Sequence, residues 1–195
     1  MKKFLLILLF IVISNSLMAK EKNMKKLVVY FSKTGEQYSV GKIKRGNTAI
    51  VADIIAGVAG ADVFEVKLQN DTYPTEYRAL TEVASEERRK NIRPAIVGKI
   101  ENFADYDVVF IGSPVWWSDM PMALYTFIEQ YDWNGKTVAP FITHEGSGLA
   151  GIPDKIKMAT GAIVTNGLAV YGHVAQNNPD EVKAKVETWL KAEKL

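Results

Sequence analysis

The sequence has no cysteine and only two histidines, His144 and His173, among its 195 residues. Without cysteine the chain can form neither disulfides nor the thiolate ligands of iron–sulfur clusters, and it has no thiol for redox chemistry. Two histidines without cysteine or closely spaced carboxylate partners make a poor metal site, so we expect no bound metal. Any redox activity must therefore belong to a bound organic cofactor.

Two common enzyme signatures are missing as well. The chain has no Gly-x-x-x-x-Gly-Lys-Ser/Thr motif, which excludes a P-loop nucleotide-binding site. A serine hydrolase built on Ser147 is disfavoured, because Glu145 stands where the Gly-x-Ser-x-Gly turn requires glycine.

The first 20 residues have the order of features of a secretory signal peptide. Lys2 and Lys3 precede an unbroken apolar stretch, Phe4–Ile13, and small residues lead to a cleavage point after Ala19. The apolar stretch is shorter than the ~20 residues that a membrane span needs. We therefore predict a signal peptide at residues 1–19 and an exported protein in the bacterial periplasm or cell envelope. An uncleaved anchor is the alternative.

A second alternative places the true start at Met24, which would make the protein cytoplasmic.

Cleavage after Ala19 removes Lys2 and Lys3 from the 24 basic residues and leaves 22, against 22 acidic residues. A mature chain so close to neutral lacks the basic face of a nucleic-acid-binding protein. We expect neither a nucleic-acid partner nor a membrane span in the mature domain.

The pattern of apolar residues indicates a single α/β domain. Its strands read as continuous apolar runs, as in parallel strands that are buried on both faces. Helical patterns alternate with them, which predicts a three-layer α/β/α sheet with right-handed crossovers. The predicted helices are Thr48–Val58, Thr75–Lys90, Pro121–Tyr131, Ser147–Met158 and Pro179–Lys191, and the second and fifth strands are Ala61–Val66 and Ala162–Val170, the latter broken at Asn166 and Gly167.

Three apolar runs end in short loops of small polar, glycine or aromatic residues. The runs are Leu27–Phe31, Val108–Gly112 and Val138–Ile142. Ligands of open parallel sheets bind outside the carboxyl ends of the strands, so these loops can form one site. The first loop offers hydroxyls that suit a phosphate, and the second offers adjacent tryptophans that suit a planar ring. The third offers glycines, which let the backbone approach a ligand closely. The combination predicts a phosphorylated aromatic cofactor. The loop residues are Ser32, Lys33, Thr34 and Gly35; Pro114, Val115, Trp116 and Trp117; and Thr143, His144, Glu145, Gly146, Ser147 and Gly148.

The motifs Tyr-Phe-Ser-Lys-Thr-Gly, Gly-Asn-Thr, Ser-Pro-Val-Trp-Trp and Thr-His-Glu-Gly-Ser-Gly, in this order, resemble those of the flavodoxin family. The resemblance covers roughly residues 25–191 and implies a flavodoxin-like domain over residues 25–195. It also implies a five-stranded parallel sheet in the order 2-1-3-4-5, with FMN at the switch point. Ser32, Thr34, Asn47 and Thr48 match the phosphate loop, and the two later loops match those that flank the ring.

One departure from the family pattern is an insert. The family motif runs Thr-Gly-Asn-Thr, whereas Glu36–Arg45 separates its two halves here, so either Gly35 or Gly46 can be the family glycine. We hypothesise that the insert, with Tyr38, folds over the phosphate edge of the cofactor. The alternative is a mobile surface loop.

Adjacent bulky residues on a strand face opposite ways, so one of Trp116 and Trp117 can pack inward while the other covers the flavin ring. We expect Trp116 to be the ring contact. Gly146 and Gly148 permit close backbone approach to the ring. His144 either holds a proton or hydrogen bond near the flavin or is a polar loop residue. His173 is expected to be a surface or capping residue.

These observations predict an FMN-binding redox protein that carries electrons through its flavin to a partner protein or a small-molecule acceptor. An alternative is an enzyme, an NAD(P)H-dependent FMN reductase of quinones or similar acceptors, which needs an open ring face for hydride transfer. A further alternative is a partner-binding module that has lost FMN.

Overall fold

The computed structural model describes residues 24–195, and the predicted signal peptide at residues 1–19 lies outside them. The strands are β1 (Lys26–Tyr30), β2 (Gly35–Gln37), β3 (Gly41–Ile43), β4 (Asp62–Glu65), β5 (Val108–Pro114), β6 (Thr137–His144), β7 (Ile163–Val164) and β8 (Leu168–Tyr171). The helices are α1 (Asn47–Ala59), α2 (Tyr77–Lys90), α3 (Met122–Ile128), α4 (Ile152–Thr160), α5 (Gly172–Asn177) and α6 (Pro179–Glu193), with a 3-10 turn at Phe103–Asp105.

The main sheet is parallel and has the order β4-β1-β5-β6, followed by β7 and β8, which both pair with β6. Since β7 and β8 are two halves of one interrupted edge strand, the predicted order 2-1-3-4-5 is confirmed. The interruption lies at residues 165–167, where the sequence predicted a break. A separate antiparallel hairpin is formed by β2 and β3.

Helices cover both faces of the sheet, as the continuous apolar strands require. On one face α1, α5 and α6 pack through residues such as Val51, Ala175 and Val186. On the other face α2, α3 and α4 pack through residues such as Leu80, Phe127 and Ile156. The three-layer prediction is therefore confirmed.

The predicted helix boundaries are less accurate than the helices themselves. The helix predicted at Ser147–Met158 begins only at Ile152, because Ala150 and Gly151 adopt positive φ values of 50° and 70° and form a turn before it. The helix predicted at Pro121–Tyr131 ends at Ile128. In both cases turn residues stand where the apolar periodicity predicted further helix.

Gly112 allows β5 to pass directly against a phenylalanine of β6. A Cβ built on Gly112 would lie 2.1 Å from Cζ of Phe141, whose side chain is fully buried. We predict that Gly112→Ala lowers the free energy of unfolding by about 2 kcal/mol, the usual cost of overpacking a core. Urea denaturation measures this effect, and an unchanged midpoint would contradict the proposed contact.

Candidate flavin site

A cavity of about 430 Å³ opens at the carboxyl ends of β1, β5 and β6, and its volume lies in the range of small-molecule sites. All three predicted loops contribute to it, so the structure brings them together as the sequence predicted. The predicted residues that line it are Ser32, Lys33, Asn47, Thr48, Pro114, Val115, Trp116, Trp117, Thr143, His144, Glu145 and Ser147. The other lining residues are Gln37, Tyr38, Tyr77, Leu80, Thr81 and Ala84.

The amino-terminal end of α1 faces the loop after β1 and forms the polar end of the cavity. Ser32 Oγ accepts a hydrogen bond from the N–H of Ala49 at 3.0 Å, and Gly46 O accepts one from the N–H of Ile50. The first N–H groups of an α-helix have no acceptor within their own helix, so those of Asn47 and Thr48 can bind an anion. This end of the cavity suits a phosphate group.

Of the two candidate glycines, Gly46 is the one that contacts the loop after β1. A Cβ built on Gly46 would lie 2.1 Å from Ser32 Oγ and 2.8 Å from the backbone oxygen of Lys33. Gly35 instead packs against Thr75, whose backbone oxygen would lie 2.6 Å from an added Cβ. Gly46 therefore holds the two halves of the phosphate loop together across the insert.

Two buried threonine hydroxyls join the phosphate end to the loop after β6. The Oγ1 atoms of Thr48 and Thr143 lie 2.7 Å apart, and both residues line the cavity. One hydroxyl proton is used in this hydrogen bond, so the pair keeps a second proton that can be donated to a ligand.

Lys33 lines the cavity, but its charge is already compensated. Its ammonium group lies 2.9 Å from Oδ2 of Asp71, and only 10% of its side chain is exposed. Thr34 and Gly35, which follow it, do not line the cavity. The donors that this end of the cavity offers to a phosphate are therefore N–H and hydroxyl groups more than a free lysine.

The adjacent tryptophans occupy different environments. Trp116 is partly buried, with its indole edge-on to Phe31 at 5.3 Å and to Tyr73 at 5.2 Å. Trp117 is 53% exposed and donates its indole N–H to the backbone oxygen of Thr81 at 2.8 Å. The prediction that one ring packs inward is consistent with this arrangement. The inward ring is that of Trp116, so the geometry favours Trp117 as the outer cover of the cavity.

A tight turn sets the direction of Trp117. The backbones of Trp116 and Asp119 exchange two hydrogen bonds, of 2.8 and 3.0 Å, across the turn. The two residues between them, Trp117 and Ser118, have φ values of 55° and 58°. These are the positive φ values of a type I′ turn, which usually contains glycine or asparagine. Non-glycine residues in this region cost about 1–2 kcal/mol each, so neighbouring contacts must hold the turn.

Asp119 supplies those contacts. Its carboxylate is 11% exposed, and Oδ1 accepts hydrogen bonds from the N–H of Met120 and the hydroxyl of Tyr125. Oδ2 lies 2.8 Å from the ammonium group of Lys155, which also donates to the backbone oxygen of Ser118. Burial and the nearby Asp119 carboxylate raise the pKa of Tyr125 above its usual value, so its hydroxyl stays a donor.

The ring of His144 is oriented by the loop that follows β6. Its Nδ1 accepts a hydrogen bond from the N–H of Gly146 at 3.0 Å, and its ring lies 4.4 Å from that of Tyr171. Burial lowers the pKa of His144 below 6.5, so the imidazole is neutral at pH 7 with its proton on Nε2. His144 can therefore donate one hydrogen bond to a ligand.

Glu145 is an acidic group at the cavity wall, and only 13% of its side chain is exposed. Its Oε1 accepts from the backbone N–H of His173, and its Oε2 lies 2.8 Å from Nδ1 of the same residue. His173 is the second residue of α5 and is half-exposed, consistent with the predicted surface position. Its pairing with Glu145 could not be inferred from the sequence because 27 residues separate the two.

Residues Gly146–Gly151 have the Gly-x-Gly-x-x-Gly spacing of dinucleotide-binding loops. Of these six residues only Ser147 lines the cavity. The edge strand that follows ends, in its second half β8, at Tyr171, where dinucleotide-binding folds have an acidic residue for the ribose. Apart from the glycine and its two neighbours in the chain, no atom of residues 24–195 lies within 4 Å of a Cβ built on Gly146 or Gly148. This segment forms a turn at the rim of the cavity.

Comparison with known proteins decides the family. The family model described as flavodoxin matches residues 25–190, nearly the whole of the described chain. The chain belongs to the flavodoxin family. No curated protein matches this flavodoxin.

Two solved structures from Bacteroides, both provisionally assigned as flavoproteins, are similar to this flavodoxin over nearly their whole length. That from Bacteroides eggerthii is 29% identical, with a TM-score of 0.68, and the match covers 88% of this chain and 98% of the other. That from Bacteroides uniformis is 28% identical, with a TM-score of 0.66 and coverage of 87% and 99%.

A flavoprotein from Lactobacillus acidophilus, solved in complex with FMN, shares the fold. It is 23% identical, with a TM-score of 0.63, and the match covers 85% of this chain and 98% of the other. FMN as the predicted cofactor agrees with the family and with this complex. Within residues 24–195, no helix has both the length and the hydropathy of a membrane span.

Proposed function

We propose that this flavodoxin binds FMN in the cavity and carries electrons between redox partners. The observation that carries the proposal is the convergence of three loops, with polar N–H and hydroxyl donors at one end and a half-exposed tryptophan at the other. Bound FMN supplies one- and two-electron transfer. The chain contributes the groups that bind it, orient it and set its potential.

In this proposal the helix end at Asn47 and Thr48 binds the phosphate, and Trp117 covers the outer face of the ring. Stacking on a planar ring adds about 1 kcal/mol beyond the area that it buries. The Thr48–Thr143 hydroxyl pair and His144 supply further donors along the cavity.

The proposal is tested by adding FMN to the purified protein and following flavin fluorescence and absorbance. We expect quenching and a shifted spectrum at a one-to-one ratio. Protein that stays colourless with excess FMN would instead be a partner-binding module. Rapid mixing of the FMN complex with NADPH then distinguishes an electron carrier from a reductase. Slow reduction of the flavin by NADPH, with fast reduction by a protein or chemical donor, supports the electron carrier.

Glu145 gives a prediction for the reduction potential. Glu145 lines the cavity, and its negative charge opposes the charge gained by the flavin on reduction. We predict that Glu145→Gln raises the two-electron midpoint potential of the FMN complex by on the order of 20 mV, corresponding to roughly 1 kcal/mol. Spectroelectrochemical titration measures this shift. The exposed Glu101, outside the cavity, gives the control variant Glu101→Gln, and equal potentials for both variants would refute the assignment.

We also propose that residues 1–19 direct export to the periplasm or cell envelope. The basic, apolar and small-residue order of this segment supports the proposal. Mass spectrometry of the protein from the envelope fraction is expected to show a chain that begins at Lys20.

A further inference from the structure

The insert is a hairpin that is attached to the start of α2. β2 and β3 pair in antiparallel fashion, with Glu36 opposite Lys42. The N–H of Glu36 donates to the backbone oxygen of Thr75 at 2.7 Å, and the Glu36 carboxylate accepts from the N–H of Tyr77 at 2.9 Å. Of the two predicted alternatives, the hairpin therefore has the geometry of a cavity wall rather than that of a free surface loop.

The tip of this hairpin and α2 share an aromatic contact at the cavity. The rings of Tyr38 and Tyr77 lie 5.8 Å apart, and both residues line the cavity while remaining 59% and 39% exposed. The preceding residue, Gln37, also lines the cavity.

Gln37 has an unused hydrogen-bond donor. Among residues 24–195, its side-chain Nε2 is the one buried side-chain nitrogen or oxygen without a hydrogen-bond partner. A buried donor without an acceptor destabilises a protein, and such groups are rare in folded proteins. Gln37 itself lines the cavity, so a rotation of its side chain would let a ligand there supply the missing acceptor.

We infer that Gln37 is an FMN-binding residue, which donates a hydrogen bond from its side-chain amide to an acceptor atom of the bound cofactor. The hairpin is then part of the flavin site, and its function is to carry this donor and the Tyr38–Tyr77 pair to the cavity. The inference rests on the proposed function, since it assumes that FMN occupies the cavity.

The inference makes opposite predictions for the free protein and for the complex. In the free protein, Gln37→Met removes a buried donor that lacks an acceptor, so the thermal midpoint should stay the same or rise. In the complex, the same substitution removes a hydrogen bond, so FMN should bind about 3- to 10-fold more weakly. If Gln37 only supported the fold, Gln37→Met would lower the thermal midpoint of the free protein.

The experiment titrates FMN into the full-length protein and its variants by flavin fluorescence, with thermal melts of each free protein. Gln37→Glu keeps the shape but replaces the donor with a charged acceptor, and we expect it to bind FMN more weakly than Gln37→Met. Gln130→Met makes the same chemical change at an exposed position outside the cavity and should leave the affinity unchanged.

The outcomes separate this inference from the proposed function. Failure of the unsubstituted protein to bind FMN would overturn the proposed function itself. Tight binding by the unsubstituted protein, together with equal affinity in Gln37→Met or Gln37→Glu, would overturn the role of Gln37 alone. A lower thermal midpoint for free Gln37→Met would also overturn it, since it would show that the amide stabilises the unliganded fold.

Discussion

Gly46→Ala is expected to weaken FMN binding at least about 100-fold. The added Cβ would lie 2.1 Å from Ser32 Oγ and 2.8 Å from the backbone oxygen of Lys33. The serine side chain can rotate, but the Lys33 backbone can move only if the loop after β1 shifts away from α1. Hydrogen bonds to a charged group contribute about 1.5–3 kcal/mol each, so losing two phosphate contacts gives an effect of this size.

The same helix offers a matched control for this prediction. Gly57 lies inside α1, and no atom stands within 4 Å of a Cβ built on it. Gly57→Ala should therefore leave FMN affinity unchanged and stabilise the protein by about 0.5–1 kcal/mol through helix propensity. Fluorescence titration with FMN compares the two variants. Affinity within threefold of the unsubstituted protein for Gly46→Ala would contradict the proposed position of the phosphate.

Asp119→Asn is expected to lower the free energy of unfolding by about 3 kcal/mol and to release the Trp117 turn. The amide keeps the size of the carboxylate but presents an N–H₂ group or a neutral oxygen to Lys155, whose ammonium group lies 2.8 Å away. Breaking one partner of a largely buried ion pair costs about 3–5 kcal/mol, and the partial exposure of Lys155 places the effect at the lower end. The positive-φ residues Trp117 and Ser118 then lose the contact that holds them.

Urea denaturation measures the loss of stability, and FMN titration measures the loss of the ring cover. Asp105→Asn is the control, because Asp105 pairs with Lys25 at 3.6 Å on the surface with 61% of its side chain exposed. Such surface pairs contribute about 0–1 kcal/mol. If both variants were equally stable and bound FMN equally well, the turn would be held by something other than Asp119.

Much of the fold could be predicted from the apolar pattern. Continuous runs such as Val108–Gly112 are readable because a parallel strand is buried on both faces and therefore has no polar side. The break in the last strand was readable from Asn166 and Gly167. Helix ends were less predictable, since the start of α4 depends on the positive-φ turn at Ala150 and Gly151 and not on apolar spacing.

The site was predictable only where its residues adjoin a strand end. Ser32 and Trp117 lie two and three residues beyond the ends of β1 and β5, and Thr143 is the last residue but one of β6. The topology brings the carboxyl ends of these parallel strands together. The sequence did not predict that Thr81 and Ala84 line the cavity. Tertiary packing brings α2 to the cavity, and a threonine and an alanine are common on the exposed faces of helices. The sequence also did not distinguish an insert that folds over the cofactor from a mobile surface loop.

The sequence alone determined the α/β class, the strand order through its family motifs, and the three loops of the site. The class and the loops follow from local burial patterns, and the strand order follows from the topology that the family motifs imply. The tertiary structure alone decided that Gly46 contacts the loop after β1, that Asp119 pairs with Lys155 beside the Trp117 turn, and that Gln37 lines the cavity with a buried amide nitrogen that lacks a partner. Each of these depends on contacts between segments that are distant in the chain, and apolar spacing contains no information about such contacts.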